Sequence, residues 1–109
     1  MDDKQKEELT ILEDKANGFC TCFGFLEKEK DEYSCKEVIS ALKVILRNYV
    51  REIFDLLKSL KEAIAWSFLD DNKEKFYKIN IELGAKLAAY KVFEEDEDKL
   101  SLINETMLL

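Results

Sequence analysis

The chain has no histidine, no proline, only three glycines and only two arginines among its 109 residues. The missing His removes the commonest general base, proton shuttle and metal ligand at once, which excludes most hydrolase, oxygenase and zinc-enzyme chemistries. Without Pro and with so little Gly, a many-stranded sheet has few residues to make its tight reversals, and the composition points to helices. No run approaches the roughly 18 uncharged apolar residues of a membrane span. Met1 to Glu8 is charged where a signal peptide needs an apolar core, so the expected setting is the cytoplasm with no membrane contact. Three cysteines are an odd number that cannot all pair within one chain, which fits a reducing compartment.

What is present is apolar and charged in equal earnest. Hydrophobic residues make up 47% and charged residues 38%, too apolar for a disordered chain and well above the charge of an average globular domain. The length suits one domain over residues 1–109. A formal net charge of −7 argues against unassisted attraction to nucleic acid or anionic lipid.

Hydrophobic periodicity supplies the boundaries. Leu9, Leu12, Ala16, Phe19, Phe23 and Leu26 fall at alternating steps of three and four, one helical seam, and predict a helix over about 3–30. Gly18 and Gly24 lie inside it and each costs roughly 1 kcal/mol against Ala, so a break at either is an open alternative, as is an extended segment from Phe19 to Leu26. Ser34 with Glu37 forms a capping box that opens a second helix over 35–69. Its stripe includes Val38, Leu42, Ile45, Tyr49, Ile53, Leu56, Leu60, Ile64 and Phe68, and nothing interrupts it before Asp70. Asp71 with Glu74 caps a third helix over 72–93, where Phe76, Ile79, Leu83, Leu87 and Tyr90 form one stripe. Tyr77, Ile81, Ala85, Ala88 and Val92 nearly close the circle, which makes this helix the expected most buried element. Five acidic residues, Glu94 to Asp98, then read as a solvated break before a short helix over 99–108. The expected fold is all-α, an antiparallel helical bundle of three long helices plus a short C-terminal one.

Candidate chemistry is sparse. Cys20, Cys22 and Cys35 are soft ligands, but one C-x-C and a lone Cys without His is not the spacing of a structural zinc site, and small buried hydrophobes or inert thiols are the plainer reading. Cys35 has the better claim to reactivity, at the first position of a helix. No catalytic constellation and no cofactor-binding motif is visible. Lys43, Arg47 and Arg51 repeat every four residues as a basic ridge, suited to an acidic partner or, less well given the net charge, to a phosphate backbone. Trp66 and Phe68 cluster with Phe76 and Tyr77 at the junction of the second and third helices, as core or as an interface hot spot.

These features point to a non-enzymatic interaction protein that binds another protein as adaptor or inhibitor, the alternatives being a thiol-based metal or redox sensor and a nucleic-acid binder. Self-association follows from geometry. A second helix of about 50 Å, at 1.5 Å per residue, outruns a compact globule and should leave apolar positions for a second copy. Val38, Leu42, Leu46, Ile53, Leu57 and Ile64 are the candidates for that homodimer contact.

Overall fold

The computed structural model describes residues 3–32, 35–64 and 73–109 and builds them into four helices, with no strand among them. They are α1 (Asp3–Glu32), α2 (Lys36–Ile64), α3 (Lys73–Tyr90) and α4 (Glu97–Leu108). Ser34, Trp66, Phe68, Asp70 and Asp71 fall outside the described residues, and with them the expected capping residues and the end of the second helix.

Helix α1 passes through both internal glycines without a break, which overturns the extended reading of Phe19 to Leu26. The two glycines differ in why they are there. At Gly18 a Cβ would stand 2.6 Å from the phenol oxygen of Tyr49, so the missing side chain is the seat for a ring from α2. At Gly24 nothing lies within 4 Å. The seam expected on α1 is the buried one: Leu9, Leu12, Ala16, Phe19, Phe23 and Leu26 all lie in the core.

Opposite them α2 buries Leu46, Val50, Ile53, Leu57 and Leu60. Contacts between the two helices descend in order along one and ascend along the other: Ser59 donates to Glu8 at 2.9 Å, Lys15 meets Glu52 at 2.9 Å, and the Cys22 thiol leans on the Leu42 carbonyl at 3.8 Å. With 30 and 29 residues, the pair forms a rod of about 45 Å at 1.5 Å per residue. That matches the long dimension of a molecule measuring 46 × 23 × 19 Å. The second helix is therefore long but not uncovered, because α1 is as long and lies along it. Of the six candidates for a homodimer contact, Leu46, Ile53 and Leu57 are buried in the protein's own core, Leu42 is half-buried and Val38 is exposed.

The other two helices complete a ring. Among the described residues α1 packs on α2 and α3, and α4 packs on α2 and α3, which leaves α2 and α3 on one diagonal. Phe19, Phe23, Tyr90 and Phe93 join α1 to the end of α3, with ring centroids 5.6–6.2 Å apart and mostly edge to face, the arrangement ring quadrupoles favour. Helix α3 is buried on one face and not all round. Phe76, Ile79, Leu83, Leu87 and Tyr90 face the core, while Tyr77, Ile81, Ala85, Ala88 and Val92 face solvent. It stops at Tyr90, short of the expected 93, because the bonds tighten: the Val92 amide turns to the Ala89 carbonyl and that of Phe93 to Tyr90. Helix α4 opens two residues earlier than expected, where the Asp96 side chain accepts from the Lys99 amide at 3.1 Å as an N-cap.

Candidate functional site

The acidic run is where sequence and structure part most sharply. Glu94, expected in a solvated turn, is 4% exposed and lies at the centre of the joint between α2, α3 and α4. Arg47 grips it with two bonds, Nε to Oε2 at 2.9 Å and Nη2 to Oε1 at 2.6 Å, the forked geometry that a guanidinium and a carboxylate share. The Tyr90 hydroxyl donates to Oε2 at 2.7 Å. The backbone amides of Glu95 and Asp96 donate to Oε1 at 3.1 and 3.0 Å. Five donors thus converge on one carboxylate and fold the turn around it.

Burial pushes the Glu94 carboxyl up, but Arg47, the Tyr90 hydroxyl and the Asp96 amide together outweigh it and hold it down at about 2. The Tyr90 phenol is raised by burial and then by the carboxylate it bonds. The Arg47 guanidinium is held more firmly charged by its bond to Glu94. An ion pair of this kind has its bonding capacity spent internally and serves to fix the α3–α4 turn against α2.

That arrangement changes the basic ridge. Arg47 points inward to Glu94, so the row keeps Lys43, half-buried, and Arg51, exposed, on either side of a neutralised centre. The three thiols occupy three neighbourhoods. Cys20 feels Lys86 and Glu82 of α3, Cys22 leans on Leu42 of α2, and Cys35 sits before α2 with its thiol donating to Glu37 at 3.3 Å and its amide to Glu29 at 2.9 Å. Burial raises the first two thiols, away from the thiolate form that reacts or binds metal. No three Cys, Asp or Glu side chains come together as ligands for a metal among the described residues. Trp66 and Phe68 lie outside the described residues, and the side chain of Ile64 does too.

Two exposed apolar surfaces remain, of which the sequence singles out only Val38 and Tyr77 as candidate contacts. One lies along the α1–α2 pair, where α1 exposes Phe25 and α2 exposes Val38 and Ile45 on one face; Val44 is exposed on another face of α2. The other is the outer face of α3 with the end of α4, where Tyr77, Ile81, Val92, Met107 and Leu108 stand in water. Since α2 and α3 are diagonal in the ring, the two surfaces belong to different sides of the bundle. On α3 the signal is present in the sequence as the second stripe, read as core because the pattern does not say how many neighbours a helix will have. No described helix is long and apolar enough to cross a membrane. Compared with protein-family models, curated proteins and solved structures, the chain matches none.

Proposed function

We propose that the chain is a non-enzymatic protein-interaction module of the cytoplasm, an antiparallel helical bundle that self-associates and acts as adaptor or inhibitor by binding another protein. The opposed order of the α1–α2 contacts, Glu8 with Ser59 and Cys22 with Leu42, supports the antiparallel arrangement. The observation that carries the function is the pair of exposed apolar surfaces on a bundle whose core is already filled. Large apolar patches left in water are a liability unless something covers them, and two on different sides suit a module that holds a copy of itself and a different protein together.

The α1–α2 surface is assigned to the other protein. Phe25, Val38 and Ile45 supply apolar anchors there, and the Lys15–Glu52 ion pair beside Ile45 puts charge at its edge. The experiment is affinity capture from the native host with the wild type and with a Phe25→Ser/Ile45→Ser variant. Both substituted residues are exposed, so the fold should survive. A partner held by the wild type and lost by the variant is expected; a partner held equally by both removes this surface from the reading.

A further inference from the structure

Beyond the Glu94 joint a cleft of about 120 Å³ opens between α3 and α4. Its floor is core: Leu57 of α2 and Leu83 and Leu87 of α3 are 2%, 2% and 1% exposed. Asn80 and Gly84 of α3, one turn apart, and Met107 of α4 stand at its rim, each partly open to water. Gly84 contributes to the space. A Cβ there would meet nothing within 4 Å, so a larger residue would grow into open room rather than against a neighbour.

The lining decides what such a space can hold. Its volume is the liquid share of about four waters, each of which needs about two to four polar partners. The side chains supply few. Thr106 already gives its hydroxyl proton to the Leu102 carbonyl at 2.7 Å, and the α3 backbone is engaged in its own helix. That leaves the Asn80 amide, half-buried at the rim and without a hydrogen-bond partner among the described residues. Water is poorly held in a place of this kind, and an apolar body that displaces it gains. Size narrows the class of that body. Drug-sized ligands occupy about 300–1,000 Å³, whereas a cavity of about 150 Å³ lined by Leu, Ile and Phe takes a benzene ring. A cleft of about 120 Å³ that opens to solvent at its rim suits a single ring with one edge standing out.

We propose that the cleft binds a small aromatic molecule of one ring and one neutral hydrogen-bonding group, of the phenol class, with the ring over Leu57, Leu83 and Leu87 and the polar group at the Asn80 amide. The site goes beyond the protein-interaction reading and does not depend on it. An amide both donates and accepts, so it can meet a hydroxyl in either sense. A carboxylate or an ammonium group is disfavoured, since no charged side chain lines the cleft to offset its loss of water.

The test is a two-dimensional NMR titration of the isotope-labelled chain with phenol and, separately, with benzene, and with circular dichroism to follow folding. A ligand of so few atoms should bind at about millimolar concentration, with saturable shifts centred on Gly84, Leu87 and Met107. Gly84→Leu puts a side chain into the cleft and gains helix propensity, so it should weaken phenol binding by about tenfold or more with the melting temperature no lower. Asn80→Leu should leave benzene binding in place and remove the preference for phenol over benzene, about fivefold in the wild type. No saturable shift, or shifts centred away from the cleft, overturns the site. Phenol binding undiminished in a folded Gly84→Leu does so too, and a preference for phenol that survives Asn80→Leu overturns the role given to the amide. Should Gly84→Leu lose helicity, Met107→Trp at the exposed rim fills the cleft in its place, with the same two outcomes.

Discussion

Replacing Glu94 by Gln keeps the shape of the side chain and removes the charge that Arg47 was folded against. Breaking such a pair leaves an uncompensated charge behind, although Arg47 retains some access to water, so a loss of about 2–4 kcal/mol in urea unfolding is expected. Tyr90→Phe removes one of the five donors and should cost only about 1 kcal/mol. The acid dependence has a definite sign. Unfolded, the Glu94 carboxyl titrates near 4.5, and folded it is held at about 2, so its contribution is complete above the unfolded value. It then falls away as pH drops through the window between the two. At one pH unit per 1.36 kcal/mol that is roughly 3 kcal/mol, present at neutrality and absent in strong acid. Urea midpoints measured at neutral and acid pH should converge for the wild type and Glu94→Gln; parallel curves would show that Glu94 is not the group responsible.

The glycines of α1 make a matched pair for the element scale. Gly24→Ala adds a helix former in open space and should stabilise by about 0.5–1 kcal/mol. Gly18→Ala gains the same propensity but must displace the Tyr49 ring, which also lies 5.9 Å from the Lys15 ammonium. It should gain less than Gly24→Ala or lose outright, and in a Tyr49→Ala background the difference should vanish; thermal melts of the four variants read this directly. The same helix shows what was legible beforehand. The i, i+3, i+4 seam from Leu9 to Leu26 and the core stripe of α3 are local patterns, and both are where periodicity puts them. What periodicity cannot carry is the identity of the neighbour. The second stripe of α3 reads as apolar whether or not a helix lies against it, and a helix as long as α1 removes the need for a second copy along α2. Glu94 was missed for a related reason: inside a run of five acids it looks like its neighbours. Only the i, i+4 step from Tyr90 and the guanidinium of Arg47, 47 residues earlier, set it apart.

At the scale of the whole molecule, the self-association proposed above would couple stability to protein concentration. The melting temperature should then rise with protein concentration, which scanning calorimetry over a hundredfold range can follow. The place of the Arg47–Glu94 joint in the order of folding follows from the length of chain it closes. The α1–α2 pairing can begin at Cys22 and Leu42, 20 residues apart, whereas Glu94 must find Arg47 across 47 residues. The joint should therefore form after the rate-limiting barrier. Glu94→Gln is expected to quicken unfolding and leave the refolding limb of a chevron nearly unmoved, so that a side chain between the third and fourth helices acts as a latch on the life of the folded state rather than as a guide to it.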